Sequence, residues 1–210
     1  MLREVPIVSV NTGAVALLGE HRGRLVYSGI VKAPTLGGTD LYLGLGGLLD
    51  PLDGHRVDFQ ADERVIRGKR VHGGPLKAVY AYPRAHYTPW ANELNCALIP
   101  GGFGENLTVD DVLEDEVVIG ERWAWGDAIL EVTGPRRPCY KLNMLRGDGT
   151  SEAMMANGRC GWYFRVIQTG KVPTVGVLQV IDRPDTGPTI ADVFRRKAQD
   201  DPTVPDMPDD

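Results

Sequence analysis

The sequence predicts a mainly β fold built from many short elements, and three observations carry the prediction. Twenty-six glycines and fifteen prolines punctuate 210 residues, a density that suits tight turns better than long helices. Charged residues make up 24% of the chain and hydrophobic residues 42%, enough apolar material for one sizeable core. Short β-branched or apolar runs recur along the chain, each bounded by Gly, Pro, Asn or Asp.

Near the N-terminus "VPIVSVN", "GAVALLG" and "RLVYSGIV" read as strands, with "GEHRGR" supplying a hairpin turn between the second and third. "TDLYLGLGGLLDPLDG" alternates weakly and ends in turn chemistry, and "ERVIRGKRV" is another strand candidate with a glycine break. From "GPLKAVYAYPRAHYTPWANEL" the apolar period lengthens, and Pro83 and Pro89 suit first-turn positions, so one or two short helices are expected there. Strands return with "NLTV", "EVVIGERWAW" and "AILEVTGP". "CYKLNML" and "SEAMMANG" read as short helices, with Ser151 as an N-cap and Gly158 as a stop. "GWYFRVIQTGKV" reads as a strand entering a hairpin and "TVGVLQVIDRP" as the last strand. "TIADVFRRKAQ" carries apolar residues at helical spacing behind Thr189, a candidate cap. The division expected is a β domain over residues 1–183, then a C-terminal helix and an acidic, disordered tail over 184–210.

The charge balance narrows the partners. Net charge is −5, with five aspartates crowded into the tail, which argues against a general nucleic-acid binder. Cys96, Cys139 and Cys160 form neither a CxxC pair nor an even set, so a disulfide framework and a structural zinc site are both disfavoured. No leader-like start opens the sequence, and no apolar run reaches the ~18 residues of a membrane span, so a cytoplasmic location and no membrane partner are expected.

Three clusters could carry chemistry. In "GPRRPCYKLNML", Cys139 follows Arg136 and Arg137 and opens a predicted helix. Positive charge there favours a thiolate, and Pro135 and Pro138 restrict the loop around it. The competing reading is a buried apolar cysteine beside two solvated arginines. In "VHGGPLKAVY", Gly73 and Gly74 after His72 allow close backbone approach to an anion near Lys77, or simply connect a strand to a helix. In "PGGFGENLTV", the glycines up to Gly104, ahead of Glu105 and Asn106, form either an anion-binding nest or a plain hairpin loop. No dinucleotide fingerprint, phosphate loop, HExxH or GxSxG accompanies them.

Taken together and in order, "SGIVKAP", "HGGPLKAVY", "PGGFGENLTV", "IGERWAWGDAILEVTGPRRPCYKL" and "GRCGWYFRVIQTGKV" resemble the MOSC family, named from the C-terminal domain of molybdenum cofactor sulfurases, and above all its small stand-alone bacterial members. The resemblance implies a MOSC-type β-barrel with a few short helices and one C-terminal helix. It implies a molybdenum cofactor, molybdopterin, with Cys139 as the hallmark thiol and metal ligand. Lys32, His72, Gly73, Gly74, Lys77, Gly104, Glu105, Asn106 and Arg136 stand at the family's motif positions and would serve the pterin and its phosphate. It further implies reduction of small N-hydroxylated bases or amines, with electrons from a separate reductase, since no flavin, haem or iron–sulfur motif is present. The alternative is a sulfur carrier holding a persulfide on Cys139 and charged by a separate sulfur donor; pyridoxal phosphate is not expected in this chain.

The sequence departs from the family pattern at three places. Leu76 follows HGGP where an acidic residue is common, "ADERVIRGKRVHGG" carries extra residues, and one helix with an acidic tail replaces a three-helix appendage.

Overall fold

The computed structural model describes residues 3–58, 65–66, 69–70 and 73–200. The first strands are β1 (Arg3–Thr12), β2 (Ala16–His21), β3 (Arg24–Ser28), β4 (Ala33–Pro34), β5 (Leu41–Gly44) and β6 (Gly47–Leu49). Then come β7 (Val65–Ile66), β8 (Lys69–Arg70), β9 (Val79–Pro83), α1 (Tyr87–Leu94), β10 (Leu107–Val109), β11 (Arg122–Trp125) and β12 (Ala128–Pro135). Helices α2 (Tyr140–Arg146) and α3 (Thr150–Asn157), strands β13 (Trp162–Gln168), β14 (Gly170–Val172) and β15 (Gly176–Asp182), and helix α4 (Ile190–Asp200) complete the order.

Seven strands in the order β10, β9, β13, β12, β11, β15, β1 close into a barrel, because β1 pairs with β15 along one edge and with β10 along the other. Closure removes the unpaired edges that an open sheet of this size would expose. The pairings are antiparallel except β9 with β10, whose parallel register sets Leu107 against Ala81 and leaves room for α1 in the crossover. From Ala128 to Val132 on β12 and from Trp162 to Val166 on β13 every second residue is buried, the alternation that lets one face of a strand enter the core. Trp123, Trp162 and Phe164 are fully buried and pack edge to face, with centroids 5.3 to 6.4 Å apart.

The mainly β, barrel-forming expectation therefore holds, with local corrections. Val79–Pro83 is a strand, not part of a helix: all five residues are buried, so it has no polar face and no alternation to announce it. Pro83 is the last residue of that strand, whereas Pro89 does lie in the first turn of α1. The strand read into "EVVIGERWAW" begins only at Arg122, since Gly120 takes a left-handed turn ahead of it. The hairpin read after β13 is absent, because β14 turns away to pair with β5. Gly149, not Ser151, precedes α3, and the Ser151 hydroxyl instead donates to the Cys139 carbonyl at 2.8 Å. Gly158 does stop that helix in the left-handed region. Cys160 lies in the core, but Cys96 is exposed, just beyond the end of α1.

Helix α4 sits against the body through Ile190 and Phe194, both in the main core. Thr189 caps it reciprocally, its hydroxyl and amide both reaching the Asp192 carboxylate. The tail expected to be disordered falls, from residue 201 on, outside the described residues. Among the described residues no helix is long and apolar enough to cross a membrane.

Candidate functional site

The site forms where β12 leaves the barrel. Pro135 ends the strand, the Arg136 amide donates to the Gly161 carbonyl at 3.3 Å, and the chain then swings through Pro138 to Cys139. Cys139 is the extended residue immediately before α2, and its carbonyl accepts from both Leu142 N–H and the Ser151 hydroxyl, each at 2.8 Å. The backbone beneath the thiol is therefore tied to both α2 and α3. The thiol itself is half-buried and lines a pocket with Lys32, Gly73, Gly104, Arg136 and Lys141. Tyr80 and Tyr163, facing each other across β9 and β13, complete one wall.

Three basic side chains, Lys32, Arg136 and Lys141, line the pocket with this thiol, and no carboxylate lies among the pocket's described lining residues. Arg136 is buried and stacks over the Tyr80 ring, 5.2 Å from guanidinium carbon to centroid. Burial opposes its charge, yet its pKa stays above the ordinary arginine value, so the guanidinium is charged. Tyr80 is pushed well above the usual phenol range, chiefly by burial, so it is a neutral hydrogen-bond donor; its hydroxyl reaches the Cys160 carbonyl at 2.8 Å. Lys32 is shifted down, first by burial, against the opposing pull of Asp58, with which it forms a buried ion pair.

The described positions singled out in the sequence divide into three groups. Cys139, Lys32, Gly73, Gly104 and Arg136 meet at the pocket. Gly74 and Lys77 lie beside it: Gly74 precedes the short 3-10 turn Pro75–Lys77, and the Lys77 ammonium rests 5.6 Å from the Tyr163 ring centroid. Leu76 turns its carbonyl to the Thr133 hydroxyl at 2.6 Å. Glu105 and Asn106 face inward. The Glu105 carboxylate, fully buried, accepts from Gly101 N–H at 2.8 Å, Phe103 N–H at 3.0 Å, the Thr108 hydroxyl at 2.8 Å and the Tyr87 hydroxyl. Asn106 accepts from Tyr80 N–H at 3.0 Å and donates to the Asn11 carbonyl at 3.4 Å, joining β9 to β1. His72 lies outside the described residues.

Gly104 has a physical reason to be glycine. Its φ is +81°, and an added Cβ would come within 2.7 Å of the Ile30 side chain, itself a pocket wall. Sequence reasoning missed Lys141, Tyr80 and Tyr163. Lys141 stands two residues after the thiol, where a helical reading alone gives no sign that it is buried with its ammonium 3.4 Å from the Tyr27 carbonyl. The tyrosines are brought together only by strand pairing.

Among the described residues no group of three or more His, Cys, Asp or Glu side chains could hold a metal ion. The pocket offers one soft sulfur donor amid cations and amides. That donor set suits a metal arriving with ligands of its own inside an anionic cofactor, and does not suit a bare divalent ion.

A profile of the MOSC domain matches residues 68–180, more than half of the chain. This chain belongs to the MOSC domain family. Protein YiiM of Escherichia coli strain K12 is 40% identical over 131 residues, covering 60% of this MOSC chain and 58% of YiiM. A protein of Gibberella moniliformis named "Reductase" is 35% identical over 128 residues, covering 59% of this chain and 22% of that one. The crystal structure of YiiM from Geobacillus stearothermophilus superposes with a TM-score of 0.68 at 28% identity, covering 93% of this chain and 83% of that one. The chain thus spans little more than half of one curated relative and about a fifth of the other.

Proposed function

We propose that this MOSC protein binds a molybdenum cofactor in the Cys139 pocket and reduces N-hydroxylated bases or amines. The observation that carries this reading is the half-buried thiol of Cys139 in a pocket whose charged described lining residues, Lys32, Arg136 and Lys141, are all basic, Lys32 being paired with Asp58. MOSC domains are associated with molybdenum cofactor binding in general, and a reductase is among the named relatives. Cys139 would ligate the metal as a thiolate, while Arg136, Lys32 and Lys141 would face the cofactor's anionic groups. Glycine amides at Gly73 and Gly104 would allow close approach of the pterin. When bound, the cofactor supplies two-electron chemistry, by which an N-hydroxyl compound with two electrons and two protons yields the amine and water. The protein's own contribution is to hold the donor sulfur on a backbone fixed by Leu142 and Ser151 and to neutralise charge with buried cations. Electrons would come from a redox module outside these residues, which carry no flavin, haem or iron–sulfur motif.

The test is metal and pterin analysis of wild type and Cys139→Ser produced with molybdenum in excess. Stoichiometric molybdenum that disappears in the variant supports the reading. Molybdenum absent from both proteins overturns it and directs attention to persulfide mass spectrometry at Cys139. Loaded wild type that fails to reduce any hydroxylamine or amidoxime under a strong reductant removes the enzymatic half.

A further inference from the structure

A second, wider groove lies beside the thiol pocket, between the β2–β3 hairpin and the first turn of α2. Its walls include His21, Arg22, Arg24, Leu25, Tyr27 and Tyr140. The His21 and Tyr140 rings stack, with centroids 4.7 Å apart and planes 28° from parallel. His21 stands opposite Arg24 in the ladder, and Arg22 sits with Gly23 in the two-residue turn, both at positive φ. Both arginines are exposed, and among the described residues neither forms an ion pair. No carboxylate lies among the described residues lining the groove; Glu20, one residue earlier on β2, is exposed but outside it. The two cavities share a wall, because Cys139 and Lys141 line the first while Tyr140, between them, lines the second. Lys141 ties that wall to the hairpin through the Tyr27 carbonyl.

We propose that this groove binds an aromatic base linked through a sugar to a phosphate, the chemistry of a nucleoside monophosphate. The base lies against the Tyr140 and His21 rings, and the phosphate lies between the guanidinium groups of Arg22 and Arg24. A stacked aromatic ring pair accepts a flat heterocycle on its face, and two arginines without carboxylate partners present forked donors that match phosphate oxygens. The consequence for substrate choice rests on the reductase reading given above: a phosphorylated N-hydroxylated base is held beside the thiol pocket, so the nucleotide is preferred to the free base. The binding itself does not depend on that reading.

Calorimetry on the full cofactor-free chain, with adenosine 5′-monophosphate, adenosine and inorganic phosphate as probes, tests it. The monophosphate binds about tenfold or more tighter than adenosine at low salt, and added salt erodes the difference. The Arg22→Ala/Arg24→Ala double variant binds the monophosphate no better than adenosine, and Tyr140→Ala weakens both, with circular dichroism confirming that each variant is folded. Equal binding of monophosphate and adenosine by wild type overturns the proposal. So does monophosphate binding that survives the double arginine variant but is lost in Arg136→Gln, since that places the phosphate in the thiol pocket. Because the assay needs no metal, its failure is separate from failure of the molybdenum reading.

Discussion

Arg136 lies over the ring of Tyr80, and the hydroxyl of that ring is held by the carbonyl of Cys160, one strand-end away. The cation beside the thiol is thus positioned by a core residue of β9, not by a surface ion pair. Tyr80→Phe keeps the ring and removes one donor from the Cys160 carbonyl, so it costs about 1–2 kcal/mol of stability while molybdenum content persists. Tyr80→Leu removes the platform as well; it costs more and reduces cofactor retention. Urea denaturation and metal analysis on the same preparations separate the two effects.

Glu105 answers four donors inside the loop that carries Gly104. Glu105→Gln replaces one acceptor oxygen by an NH2 group that faces donors, and the cost is about 2–4 kcal/mol, at the strong end because the hydrogen bonds are charge-assisted. The loss is the same with and without cofactor, which a thermal melt of both forms checks; a loss confined to the cofactor-bound form would mean that Glu105 contacts the ligand instead.

Lys32 and Asp58 form an ion pair in which both side chains are almost wholly buried. Lys32→Ala leaves the Asp58 carboxylate buried without that ammonium and costs about 3–5 kcal/mol, whereas the double change Lys32→Met/Asp58→Asn, which removes both charges and keeps the sizes close, recovers part of the loss. Chemical denaturation of these two variants and of the single changes Lys32→Met and Asp58→Asn reads the difference, and additive losses would show that the two residues act independently.

Asp192 is held below the ordinary carboxylate range, first by the Thr189 hydroxyl, then by the Thr189 amide and more weakly by Arg195 and Arg196. Because its folded pKa is depressed, the capping contribution is complete above the unfolded pKa and is lost as pH falls through the lower folded value. Protection of the amides in the first turn of α4, after correction for the intrinsic pH dependence of exchange, therefore falls in acid. Asp192→Asn removes that pH dependence, and a carboxyl titration followed by NMR measures it directly.

Much of the barrel was legible in the sequence. The alternation of β12 and β13 and the turn residues between strands mark half-buried strands, and Thr189 marks the start of α4. Strand β9 was not legible, because a strand buried on both faces reads as a plain apolar run, and Tyr80, Ala81 and Tyr82 gave no period to separate it from a helix. For the site, Cys139, Lys32, Gly104 and Arg136 stood out as motif positions, and the pocket unites them.

By itself the sequence determined the fold class, the capped last helix and the thiol flanked by arginines, since each depends on neighbours within a few residues. Only the tertiary structure decided that Glu105 and Asn106 turn inward, that Tyr80, Tyr163 and Lys141 join the thiol's pocket, and that β14 leaves its apparent hairpin partner for β5. Those outcomes depend on contacts between distant segments, made when the barrel closes and each buried polar group takes the partner that closure brings within reach.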